Sequence, residues 1–166
     1  MELIHRPIDV ARDREYVLEC HCRINYECDC PWARKIPYDD YRAEWFSMSS
    51  QISSFYDYLQ ETAADPRTIA EIIETVDGQT VGYLWAPFCA DEETDFRFTD
   101  VQDIYIETDF RKHSIANELL EYAENHARAN GANVIRSGTG CENTASINLH
   151  EKRGFYVYRY EFEKLL

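Results

Sequence analysis

This sequence predicts a single α/β domain with a mixed sheet, spanning residues 1–166. Three observations carry that expectation. The hydrophobic patterns run in the order β-α-α-β-β-β-α-β-α-β. A strand near 101–107, a long helix and a strand near 133–137 form a βαβ crossover, whose two strands pair in parallel. At 166 residues and 45% hydrophobic content, the chain has apolar material for one substantial core. No internal repeat, low-complexity segment or interdomain linker divides it.

The elements follow in order. "ELIHRPI" alternates as a first strand. Asp9 is placed to cap a helix running to about Cys28, which Pro31 closes. Over residues 39–63, Tyr41, Trp45, Met48, Ile52, Phe55 and Leu59 recur at intervals of four and three. That stripe predicts helix, in two pieces around the serines near 47–54. Tyr56 and Tyr58 fall off the stripe and are expected to be free to meet a ligand. "TIAEIIETVDGQTVGYLWAPF" reads as a hairpin turning at Asp77-Gly78, and "FRFTDVQDIYIETD" as the next strand. A helix over 111–130 stops at Gly131, and "ANVIRSG" follows as a strand. "ENTASINLHEKRGF" is a short helix capped at Asn143 or Thr144 and ended by Gly154, and "YVYRYEFEKLL" is a closing strand.

Bulk properties exclude several classes. A net charge of −14 argues against nucleic acid, whose binding rests on Lys and Arg neutralising phosphates. It suits a cationic small molecule, or serves solubility alone. No apolar run approaches the roughly 18 residues of a membrane span. "MELIHRPIDVARDREYV" lacks a basic stretch followed by an apolar run, so no secretory signal and a cytoplasmic location are expected. Cys20, Cys22, Cys28 and Cys30 surround His21 in "ECHCRINYECDC", a grouping that raises zinc. On a helix, Cys20 and Cys28 share a face while Cys22 and Cys30 point nearly opposite, so four ligands do not converge and no metal is expected. Acids are concentrated: residues 91–109 hold eight, against the single Arg97.

The chemistry centres on "TDFRKHSIANELLEYA", a strand end running into a helix with Arg111 and Lys112 at the junction. The first turn of a helix leaves about four N–H groups without internal partners, and with the helix dipole these favour a pyrophosphate. "RSGTGCENT" also looks like a phosphate loop but lacks the Lys-[Ser/Thr] ending of a P-loop. Together, "DIYIETDFRKHSIANELLEYA" and "ENTASINLHEKRGF" resemble the GCN5-related N-acetyltransferase (GNAT) superfamily, over nearly the whole chain and most strongly over 98–156. Against its [R/Q]-x-x-G-x-[G/A] coenzyme A loop, Arg111 and Ala116 match, while Ser114 replaces the glycine. Asn143, Ala145, Leu149, Glu151, Lys152, Gly154 and Phe155 fit the last motif, and His150 stands where the family commonly has tyrosine.

The resemblance implies acetyl-CoA as cofactor and an amine acceptor. Arg111, Lys112, His113, Ser114, Ile115 and Ala116 would hold the pyrophosphate, Asn143 would lie against the cofactor, and a backbone N–H between Ile104 and Ile106 would polarise the thioester carbonyl. Gly138 and Gly140 suit the opening between strands that the family uses for the pantetheine arm. Asp100 and Asp103 are candidate bases. They are odd-spaced, so a regular strand points them to opposite faces; Asp103 is preferred, with a water chain as the alternative. His150 is the candidate acid for the leaving thiolate. Tyr38, Tyr41, Trp45 and Tyr56, with Asp91, Glu92 and Glu93, are expected to line an acceptor site for a cationic amine such as a polyamine, an aminoglycoside or a peptide N-terminus. His21, His113 and His126 read as packing or surface residues. Two other readings stay open: a non-catalytic acyl-CoA-binding regulator, and an interaction module whose closing strand pairs with another chain, including a second copy as a homodimer.

Overall fold

The computed structural model describes residues 1–29, 32–91, 93–111 and 113–164. In chain order its elements are β1 (Leu3–Pro7), α1 (Arg14–Ile24), α2 (Tyr38–Ser47), α3 (Ser49–Ala63), β2 (Ile69–Thr75), β3 (Thr80–Ala86), β4 (Phe88–Ala90), β5 (Arg97–Val101), β6 (Asp103–Ile106), α4 (Ile115–Ala129), β7 (Val134–Ser137) and α5 (Thr144–Lys152). A π-helical turn, Asn25–Asp29, extends α1, and 3-10 turns sit at Ala33–Lys35 and Thr108–Phe110. The class is mixed α/β, as expected.

Strands β1, β2, β3 and β6 form an antiparallel sheet in the order β1-β2-β3-β6. Strands β4, β5 and β7 form a second, with β5 and β7 parallel from Phe98↔Val134 to Val101↔Ser137. One core lies between the first sheet and α1–α3, built on Leu18, Ile52, Leu59, Tyr83 and Trp85. The other lies under α4, where Ile115, Leu119, Leu120 and Ala123 pack on Ile73, Val81, Leu84 and Val101.

What reads as one strand over 96–109 is two. At Gln102 the chain leaves β7 and joins β3, where its N–H donates to the Trp85 carbonyl at 3.0 Å. The parallel partner of 134–137 is therefore 97–101, not 101–107. Alternation shifts there as well. Val101 packs under α4, and so do Ile104 and Ile106, three and five residues on. An extra residue in a strand swaps the faces of everything beyond it. Asp100 and Asp103 consequently share the α1–α3 face, contrary to the regular-strand expectation.

Other boundaries move for local reasons. Asp9 accepts from the N–H groups of Ala11 and Arg12, each at 3.0 Å, and makes a turn; α1 begins later, at Arg14. The stripe over 39–63 divides at Met48, whose φ of −81° and ψ of 66° leave the helical region. α4 starts at Ile115 rather than 111. Gly78, Gly131 and Gly154 all take positive φ at the stops where the sequence puts them. The closing strand is not formed: residues 155–164 carry no strand pairing, and Tyr156, Val157, Tyr158, Tyr160 and Phe162 are exposed. Alternation supplies the side-chain pattern of a strand, but a strand also needs a neighbour to satisfy its backbone. The strand edge that a homodimer would use is thus missing among the described residues.

A half-buried ion pair anchors α1 to the sheet. Arg6 on β1 donates to Asp13 at 2.8 Å and to Glu74 at 3.0 Å, and the Asp9 N–H reaches Asp13 at 2.8 Å. Burial would raise the Asp13 carboxyl, but the hydrogen bonds from Arg6, Arg12 and the Asp9 backbone outweigh it and bring the pKa down to about 2. A depressed carboxylate stabilises the fold above its unfolded value near 3.8 and loses that contribution as pH falls toward 2. Asp13→Asn is therefore expected to cost roughly 2 kcal/mol at pH 6 by urea unfolding, with the gap to wild type closing between pH 4 and pH 2. A constant gap across that range would refute the assignment.

Candidate active site

Beyond Gln102, β6 is the end strand of its sheet, so its outer backbone edge has no strand partner among the described residues. β7, the partner of β5, stops at Ser137, and α4 begins nine residues after β6 ends, at Ile115. A wedge thus opens where the two ladders part at Gln102, β5 staying with β7 and β6 with β3. Gly138 lies just past the last pairing and has open space around it.

Ser114 precedes α4 with φ 62° and ψ 8°, and it alone among the described non-glycine residues takes positive φ. Its side chain makes no capping bond, and no other side chain among the described residues caps the helix start. The left-handed conformation costs a residue with a Cβ on the order of 1 kcal/mol. Part of the relief on removing it is lost to the freer unfolded chain of glycine. Ser114→Gly is expected to raise stability by roughly 0.5 kcal/mol, read from the urea midpoint; a fall would show that the hydroxyl contributes more than the strain costs. Arg111 leaves this loop sideways. Its Nε donates to the Ile106 carbonyl at 2.9 Å, and its Nη1 to Glu27 at 3.1 Å. His113 is exposed, Ala116 half-buried, and Ile115 turns inward under the sheet. Lys112 lies outside the described residues, as do Glu92 and Cys30.

On α5, Asn143 accepts the Ser146 N–H at 3.2 Å and so caps the helix; its amide also donates to Cys28 Sγ at 3.2 Å and Thr139 at 3.1 Å. His150 lies with its Nδ1 2.7 Å from the Ser146 carbonyl and its ring edge-on to Phe155. A carbonyl can only accept, so Nδ1 carries the proton and Nε2 of the neutral ring is a bare lone pair. That Nε2 is buried without a partner, and only a doubly protonated ring would let it donate. The one N–H of the neutral ring is already spent on the Ser146 carbonyl.

The shared face of Asp100 and Asp103 is aromatic. Trp45, His21, Phe55, Trp85 and Tyr58 form a continuous strip: His21 lies 5.9 Å from Trp45 and stacks on Phe55 at 3.9 Å, Phe55 meets Trp85 edge-on at 5.4 Å, and Tyr58 meets Trp85 at 5.3 Å. Asp103 sits under the strip with 3% of its side chain exposed, accepting from Tyr83 Oη and lying 2.9 Å from His21 Nδ1. Asp100 sits at the far end, where burial raises its carboxyl against the Gln102 amide at 2.7 Å and the charges of Arg136 and Arg159. Burial first, then Cys89 and Asp100, push the Tyr58 hydroxyl up.

The expected lining residues divide. Tyr58 is exposed, whereas Tyr56 is buried and donates to the Val10 carbonyl, so it is a core residue: a tyrosine off the main stripe finds a backbone partner under α3. Tyr41 is buried against Tyr26 and Trp32. Trp45 is buried at one end of the strip, and Tyr38 donates to Glu19 at 2.7 Å. Asp91 turns back to accept from Glu93 and Thr94 N–H groups in an exposed loop. Cys20 and Cys22 are both in the α1 core. His21 is the residue that sequence reasoning misses, because its partner lies 82 residues away.

The acetyltransferase (GNAT) family model matches residues 33–155. The chain belongs to this family. Curated relatives in Pseudomonas aeruginosa and Pseudomonas paraeruginosa, both L-methionine sulfoximine/L-methionine sulfone acetyltransferases, are 32% identical over 84 residues, which is 48% of this chain and 46% of theirs. The chain thus matches just under half the length of these relatives. Among solved structures, AAC(6')-Iy in complex with a bisubstrate analog, CoA-S-monomethyl-acetylneamine, superposes with a TM-score of 0.61 at 18% identity, covering 100% of this chain and 99% of that one. A transcriptional regulator from Bacillus halodurans C-125 superposes at 0.67 with 14% identity, covering 99% and 100%. At such identities the likeness concerns the fold alone. The family is one of acetyltransferases, whose acyl donor is acetyl-CoA. The residues present fit that donor: an uncapped helix start, an unpaired strand edge beside an opening, and a buried unpartnered nitrogen at His150.

Proposed function

We propose that this chain is an acetyl-CoA-dependent N-acetyltransferase acting on the primary amine of a cationic small molecule or peptide. The observation that supports the reading is the break at Gln102, where the chain passes from β7 to β3 and brings Asp100 and Asp103 onto one face of the sheet. Bound acetyl-CoA supplies an acyl carbon activated as a thioester. The N–H groups at the start of α4, with Lys112, would hold its pyrophosphate, and Arg111 would join them on leaving Glu27. The outer edge of β6 between Ile104 and Ile106 would orient the acyl end and polarise its carbonyl. His150 would supply a proton to the departing sulfur from the doubly protonated ring.

The acceptor reading rests on chemistry. The exposed Tyr58 ring, with the Asp100 carboxyl near it, favours a cation through ring quadrupole and charge. The net charge of −14 adds a long-range bias in the same direction. The Pseudomonas relatives favour a second class, an amino-acid amine of the methionine sulfone type. Release of coenzyme A thiol is to be measured with a polyamine, an aminoglycoside, a short peptide and methionine sulfone. The reading expects transfer to at least one cationic amine at a rate well above hydrolysis. Transfer to methionine sulfone alone would replace the acceptor class, and release no faster than hydrolysis with all four would overturn the reading.

A further inference from the structure

Asp103 and His21 form a dyad whose arrangement is unusual for mere packing. Asp103 is a carboxylate with 3% of its side chain exposed, on β6 at the wedge. Taking such a group from water is costly unless donors satisfy it. Two converge on one oxygen: the Tyr83 hydroxyl and His21 Nδ1 at 2.9 Å. Tyr83 is fully buried, and burial together with the Asp103 charge keeps it protonated, so it donates. With Oδ2 accepting, His21 Nδ1 carries the ring proton and Nε2 is left as a lone pair. No hydrogen bond to Nε2 occurs among the described residues, nor is Nε2 among their buried unpartnered atoms. The His21 side chain is 22% exposed, while one face of its ring is held by Phe55. The imidazole is thus fixed in tautomer and orientation with its basic nitrogen open to solvent.

Given the acetyltransferase reading above, we infer that His21 takes the proton from the acceptor amine, and that Asp103 is a positioning residue acting through it. The nitrogen of a neutral amine forms the N–C bond with its lone pair. The C–S bond breaks with its electron pair going to sulfur, and the proton lost from nitrogen ends on His21 Nε2. His21 then returns that proton to solvent. Asp100, at the other end of the strip, meets no imidazole and serves the charge of the acceptor instead.

The test begins without any substrate. In ¹⁵N-labelled protein, long-range proton–nitrogen correlation is expected to show His21 protonated at Nδ1 and bare at Nε2. Asp103→Leu, which removes the oxygen that both donors meet, is expected to abolish that preference. With the best amine from the panel, His21→Ala is expected to lower kcat by roughly 100- to 1,000-fold, with acetyl-CoA affinity unchanged within about twofold. Added imidazole is expected to restore at least about tenfold of that loss, which a structural role would not allow. Should His21→Ala fail to fold, His21→Gln keeps side-chain volume in the slot, with the same fall in kcat expected. Protonation of His21 at Nε2 in wild type, or a His21→Ala kcat within about threefold of wild type, would overturn the inference. In the second case the functional reading would stand, because wild type would still transfer acetyl. No transfer by wild type to any amine would overturn both.

Discussion

Gly82→Ala is expected to cost roughly 3 kcal/mol or more and to leave little folded protein at 37 °C. Gly82 lies in β3 opposite Ile106, and a Cβ placed there would run into the Tyr105 carbonyl oxygen and come within 2.9 Å of its carbon. The obstacle is strand backbone, so no rotamer change clears it. Either β6 moves outward or the ladder between β3 and β6 breaks. Both outcomes also displace Asp103 and the outer edge of β6, so residual folded protein should turn over poorly. The check is the urea midpoint with its slope, alongside soluble yield. A midpoint within about 0.3 M of wild type would contradict the packing described for these two strands.

His150→Phe is expected to lower kcat by on the order of 100-fold, while acetyl-CoA binding changes by less than about twofold. Phenylalanine keeps the edge-on contact with Phe155 and the ring volume. It removes two nitrogens of opposite value to the fold. Nδ1, bonded to the Ser146 carbonyl, contributes about 1 kcal/mol, and the unpartnered buried Nε2 costs a similar amount. Stability should therefore barely move, which makes this a clean probe of chemistry. Single-turnover rates and calorimetric binding separate the two arms. Equal loss of binding and turnover would assign His150 to holding α5 in place.

Features set by a few adjacent residues are legible in the amino-acid order alone. Gly78, Gly131 and Gly154 stop their elements, Asn143 caps α5, and α4 buries Ile115, Leu119 and Ala123 as its spacing dictates. The strain at Ser114 is legible too, because a glycine position in a phosphate loop demands positive φ and serine carries a Cβ. What stays hidden depends on partners distant in sequence. The extra residue near Gln102 exists because two different strands claim the two halves of one apolar run. His21 reads as one more residue in a cysteine-rich helix until β6 brings Asp103 beneath it. Spacing misplaces Tyr56 because nothing local shows that its hydroxyl meets the Val10 carbonyl. The closing segment alternates faithfully, yet β7 offers it no ladder among the described residues.

The central claim is that the start of α4 and the wedge beside β6 hold an acyl donor, although serine replaces glycine at 114. Thermal unfolding with excess acetyl-CoA, and with NADH as the control for other nucleotides, tests it most directly. Donor at about 100 times its dissociation constant adds about 2.7 kcal/mol, or roughly 5–10 °C for a domain of this size. The account predicts that shift with acetyl-CoA and none with NADH. No shift at millimolar acetyl-CoA, or equal shifts with both, would contradict it.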